Sequence, residues 1–129
     1  MRLRTVVLDM QSSLYASALR RSLAQELTDC QIVISKTPRD TASECRVLQP
    51  YALLMEVTGY TPWKLSERLR LRDEVRENAP DCKTVLIVDE VADSALADEV
   101  KQAKRDGRVD AFLFASATER YLAAFMDSL

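Results

Sequence analysis

The 129-residue chain carries 47% hydrophobic and 29% charged residues, enough to bury one domain-sized core without cross-links. A formal net charge of −2 argues against a dedicated nucleic-acid binder, which shows a basic stripe. The absence of histidine removes imidazole catalysis, and two glycines are too few for a P-loop or a G-x-G-x-x-G turn.

The elements alternate strand and helix five times. Thr5–Leu8 is a short β-branched run that reads as a buried strand. Ser12 or Ser13 then caps a helix through Leu27, with Tyr15, Leu19, Leu23 and Leu27 on one face. Ile32–Ile34 is the second strand. Thr37-Pro38-Arg39-Asp40 starts a short helix that ends near Leu48, before Pro50. Ala52–Val57 is the third strand. Thr61-Pro62 repeats the cap-plus-proline start, for a helix reaching about Asn78 with Trp63 in its first turn. Val85–Val88 is the fourth strand. Asp93 or Ser94 opens a helix with Ala92, Leu96, Val100 and Ala103 inside and Gly107 at its end. Ala111–Phe114 is the fifth strand. Ser116-Ala117-Thr118-Glu119 is a capping box for a last helix with Leu122, Phe125, Met126 and Leu129 on its inner face.

Strands apolar on both faces, each followed by an amphipathic helix, imply a doubly wound five-stranded parallel sheet. Residues 1–129 are expected to form a single domain. The opening Met1-Arg2-Leu3-Arg4 is too short for a signal peptide, and no apolar run approaches a membrane span. Cys30, Cys45 and Cys82 form no C-x-x-C, so reduced, inert thiols in a cytoplasmic protein are expected.

Three of the apolar runs end in a carboxylate: Val6-Val7-Leu8-Asp9, Leu53-Leu54-Met55-Glu56 and Leu86-Ile87-Val88-Asp89. In an open parallel sheet ligands sit outside the carboxyl ends of the strands, so Asp9, Glu56 and Asp89 are expected to converge on an acidic pocket. Two uses are open. The acids cap helix starts or face solvent, or Asp9, Glu56 and the Thr58 carbonyl form a weak divalent-cation site. The basic residues between Lys64 and Arg76, Arg68 among them, interleave with acids and read as a solvated helix face. Trp63 either covers the pocket mouth or packs against the sheet edge.

The order of elements, the first strand ending at Asp9 and the third-strand segment Gln49-Pro50-Tyr51-Ala52-Leu53-Leu54-Met55-Glu56-Val57 resemble a response-regulator receiver domain of the chemotaxis-regulator type. The approach from Gly107 to Phe114 adds to the resemblance. It implies the flavodoxin-like strand order 2-1-3-4-5. It also implies that Asp9 is the first of two Mg²⁺-holding acids, with Met10 at the second position. Glu56 falls at the phosphoacceptor aspartate, Asp89 at the hydroxyl that senses the phosphoryl group, Phe112 at the aromatic switch and Ala115 at the conserved lysine. Met10 is a poor ligand for Mg²⁺, Glu56 projects a methylene too far, and Ala115 removes the cation that would bind phosphoryl oxygens.

The expected function is therefore an atypical receiver, a signalling module without usual phosphoacceptor competence and not an enzyme. The resemblance implies a protein partner or a homodimer through the fourth helix, fifth strand and fifth helix, with any output domain lying outside this chain. No resident cofactor, nucleic-acid contact or membrane contact is expected. Two alternatives stand beside it: a receiver that still phosphorylates Glu56 with a divalent cation, and a small flavodoxin-like enzyme or cofactor carrier.

Overall fold

The computed structural model describes residues 3–129, apart from the side chain of Glu119. Met1 and Arg2, the start of the N-terminal run, lie outside the described residues. In chain order the elements are β1 (Arg4–Asp9), α1 (Ser13–Glu26), β2 (Cys30–Ile34), α2 (Pro38–Leu48), β3 (Ala52–Val57), α3 (Leu65–Asn78), β4 (Lys83–Val88), α4 (Ser94–Arg105), β5 (Ala111–Phe114) and α5 (Glu119–Ser128). The strands form one parallel sheet in the order β2-β1-β3-β4-β5.

Period-two alternation along the strands divides the core into two layers. Val7, Leu53, Met55, Val57, Leu86 and Val88 face α2, α3 and α4. Val6, Leu8, Leu54, Val85, Ile87 and Leu113 face α1 and α5. Both faces are covered, which is why the strands read as continuous apolar runs.

Local chemistry sets most element ends. The Ser12 hydroxyl accepts the Tyr15 N–H, and the Asp93 carboxylate accepts the Leu96 N–H. Gly107 takes a φ of +72° just beyond the Asp106 cap of α4, a backbone conformation glycine adopts at little cost.

Two expected starts and one inner-face position differ. The Thr61-Pro62 pair does not open α3, which begins at Leu65. Thr58 N–H donates to the Trp63 carbonyl and Trp63 N–H to the Tyr60 carbonyl, so a closed loop precedes the helix and holds both Pro62 and Trp63. Ala92 is exposed ahead of α4, and Ala97 takes the inner place expected of it. The last helix is capped by Thr118, whose hydroxyl accepts the Tyr121 N–H, while Ser116 Oγ donates to Glu90 instead.

Candidate functional site

The pleat decides where the three strand-end acids go. Asp9 lies in register with Met55, whose side chain faces the α2/α3 layer. Counting onward, Asp9 falls on that face, and Glu56, one residue after Met55, falls on the α1/α5 face. Asp89 lies one residue beyond the end of β4, where the pleat no longer fixes its side, and it shares a cavity with Glu56. Asp9 is thereby separated from Glu56 across the sheet.

On the α2/α3 side, Asp9 is 2% exposed and Arg68, from the first turn of α3, is fully buried. Arg68 Nη2 donates to Asp9 Oδ1 at 3.1 Å and to the Asp9 carbonyl at 2.9 Å. Its Nη1 stands 2.9 Å from Asp9 Oδ2 as a charge contact off hydrogen-bond alignment. Its Nε donates to the Glu56 carbonyl at 2.8 Å. Thr41 Oγ1 donates to Asp9 Oδ2 at 2.7 Å and lies 2.8 Å from Ser35 Oγ. Arg68 is therefore not part of a solvated face. It shares an inner stripe with Leu71 and Val75, at i, i+3 and i+7, and that spacing was the signal for its burial.

On the α1/α5 side, Glu56 Oε1 accepts the Gln11 N–H at 2.8 Å and the Ser12 N–H at 3.2 Å, at the entrance to α1. Asp89 Oδ1 accepts the N–H groups of Val91 and Ala92 at 3.1 and 3.0 Å. Both acids thus hold turns in place through one oxygen each. Together with Thr58 they line a cavity of about 520 Å³ over the carboxyl ends of β3 and β4. Asp9 and Trp63 are not in its lining, so the expected Asp9, Glu56 and Thr58 set does not share one cavity.

Glu90 extends the acidic neighbourhood. One of its oxygens accepts the Ser116 hydroxyl, and the other is sealed from solvent without a partner. Tyr15, half-buried on α1, feels the group: burial pushes its hydroxyl up from the ordinary range, and the charges of Glu56, Asp89 and Glu90 push it further. Among the described residues, no group of three or more His, Cys, Asp or Glu side chains is placed to hold a metal ion.

Phe112 and Phe114 flank one another on β5 with ring centroids 5.7 Å apart. Lys101 of α4 lies over Phe114 at 5.5 Å, and Tyr121 stacks on Phe125 of α5 at 6.3 Å. Ala115 follows β5 half-buried, its N–H donating to the Val88 carbonyl at 2.9 Å. Cys45 and Cys82, distant in sequence, share the α2/α3 layer, where the neighbouring Cys45 thiol and burial push the Cys82 thiol up and its Sγ donates to the Lys83 carbonyl at 3.7 Å.

No family model matches the sequence, and no curated protein matches it. Solved structures do match the fold. A response regulator from Thermotoga maritima aligns over 98% of this chain and 96% of its own, with a TM-score of 0.74 and 17% identity. A CheY-like protein (tadZ) from Pseudomonas aeruginosa aligns over 97% and 98%, with a TM-score of 0.73 and 16% identity. The N-terminal signal receiver domain of a two-component response regulator from Bacteroides fragilis aligns over 98% and 95%, with a TM-score of 0.77 and 14% identity. With the strand order and the two-layer core, these likenesses establish that the chain has the receiver fold.

Proposed function

We propose that the chain is an atypical receiver domain: a signalling, protein-interaction module in which Glu56 does not accept a phosphoryl group. The buried Arg68–Asp9 pair carries this reading. The resemblance to receivers puts a Mg²⁺-holding acid at Asp9. Here a guanidinium already contacts both Asp9 oxygens, and a buried pair is costly to separate, by about 3–5 kcal/mol. Met10 offers only a thioether, whereas Mg²⁺ demands hard oxygen ligands in octahedral array. The residues present do not fit the ion.

Two further features agree. Phosphoryl transfer depends on positioning and on cations that neutralise the transferred group. Glu56 Oε1 is engaged by two backbone N–H groups, and at the position of the family's lysine stands Ala115. The domain would act by contact rather than catalysis, through the face of α4, β5 and α5 on which Tyr121 is exposed and Lys101 covers Phe114. No helix of the described residues is long and apolar enough to cross a membrane. We place the domain in the cytoplasm, where its thiols stay reduced.

Intact mass after incubation with acetyl phosphate and Mg²⁺ tests the reading. The expected spectrum shows no adduct of roughly +80 Da, the mass of one phosphoryl group. An adduct mapped to Glu56 overturns it.

A further inference from the structure

Six large apolar side chains stand well exposed among the described residues, and three of them lie in or just after the loops that follow β1, β3 and β4. Leu14 is 82% exposed in the first turn of α1, Tyr60 is 71% exposed between β3 and α3, and Val91 is 84% exposed between β4 and α4. Tyr60 lines the cavity that Glu56 and Asp89 line, Val91 is chain neighbour to its Ala92, and Leu14 follows its Gln11 by three residues. Tyr60 thus lies in the cavity wall, and Leu14 and Val91 stand close in the chain to residues that line it. Exposed apolar groups gathered around a polar cleft mark interaction surfaces.

The charge of the cleft specifies the partner. The hydrogen bonds to Glu56 and Asp89 all fall on Oε1 and Oδ1, so each carboxylate has a second oxygen with no internal donor among the described residues. Glu90 beside them has an oxygen sealed without a partner. No lysine or arginine lines the cavity among the described residues, and the buried guanidinium of Arg68 is committed to Asp9 and the Glu56 carbonyl. Burial first, and then the charges of Glu56, Asp89 and Glu90, raise the Tyr15 hydroxyl.

We propose that this rim is a docking surface for a partner protein that inserts one basic side chain, arginine or lysine, between Glu56 and Asp89 and rests apolar neighbours on Leu14, Tyr60 and Val91. A guanidinium or ammonium supplies donors to the free carboxylate oxygens, and charge-assisted bonds of this kind strengthen as the rim excludes water. The inference rests on the reading that no phosphoryl group enters the cavity. It names a surface separate from the α4–β5–α5 face.

The test is an amide NMR titration of the whole chain with a blocked tripeptide of leucine, arginine and leucine, beside the same peptide with neutral citrulline. The expected result is saturable shifts at Gln11, Ser12, Val91 and Ala92, whose N–H groups report on Glu56 and Asp89, with roughly millimolar affinity. Citrulline should bind about tenfold more weakly, the loss of one charge-assisted contact. Asp89→Asn keeps the acceptor for Val91 and Ala92 while dropping the charge, and should weaken arginine binding similarly. Val91→Ser and Leu14→Ser, both exposed, should each weaken it about threefold.

Equal shifts with citrulline, shifts confined to another face, or displacement of the peptide by micromolar Mg²⁺ would each overturn the proposal. So would the same shifts on raising protein concentration alone, which would make a second copy the occupant. A peptide that fails to bind while acetyl phosphate leaves no adduct removes this inference and leaves the proposed function standing. An adduct on Glu56 removes the proposed function instead.

Discussion

The two sides of the sheet's carboxyl end solve the same electrostatic problem differently. On the α2/α3 side Asp9 is buried and brings its own cation, Arg68, with Thr41 completing the contacts. Outside the ends of β3 and β4, Glu56 and Asp89 line a cavity with no arginine or lysine in its lining among the described residues, and their charges, with that of Glu90, act on Tyr15 of α1. Burial makes the difference. A carboxylate removed from water needs a partner charge, whereas acids at a cavity mouth keep part of their hydration and can share backbone donors. One side is therefore a closed structural unit, and the other is an open surface that still attracts positive charge.

The largest expected effect comes from breaking the closed side. Arg68→Met leaves the Asp9 carboxylate buried and unpaired, and should cost about 3–5 kcal/mol of unfolding free energy in a denaturant titration. The double variant Asp9→Leu, Arg68→Met replaces the pair by apolar groups and should recover most of that loss. A single variant within about 1 kcal/mol of the parent would mean that Asp9 is not held as a buried charge.

A smaller effect separates charge from hydrogen bonding on the open side. Glu56→Ala removes the acceptor for two N–H groups at the start of α1 and should cost about 1 kcal/mol. Glu56→Gln keeps an acceptor oxygen at the same place and should recover most of this. The contrast with Arg68 would collapse if Gln proved as damaging as Ala, because the negative charge itself would then be structural.

The strands and helices were legible because both sheet faces are covered and each strand is a short, unbroken apolar run. The acids are less legible. The apolar runs put Asp9, Glu56 and Asp89 at strand ends, but the pleat sends Asp9 to one face and Glu56 to the other, so the three do not converge. Arg68 was hidden by composition, since interleaved acids and bases suggest solvent, while its spacing to Leu71 and Val75 pointed inward. The cap-plus-proline signal at Thr61-Pro62 was outweighed by the loop bonds of Thr58 and Trp63, which no local pattern reveals. That Cys45 and Cys82 share a layer depends on tertiary placement of α2 against the start of β4, beyond what spacing can show.

The subtlest expected effect is a titration. The folded chain holds the Tyr15 proton to higher pH than the unfolded chain, whose tyrosine titrates at its ordinary value of 10.0. By linkage, the stability due to this group is fully present below that value and is lost as pH rises through the higher folded one. Tyr15→Phe should therefore flatten part of the alkaline fall in stability, and should remove the Tyr15 ionisation phase from the ultraviolet difference spectrum. Glu90→Gln divides the causes. Burial is the larger one and the acids the smaller, so this variant should move the Tyr15 transition only part of the way back. An unmoved transition would mean that the Glu90 charge does not reach the hydroxyl. The open side would then be less negative at Tyr15 than the placement of its three acids implies, and the attraction for a basic side chain would rest on Glu56 and Asp89 alone.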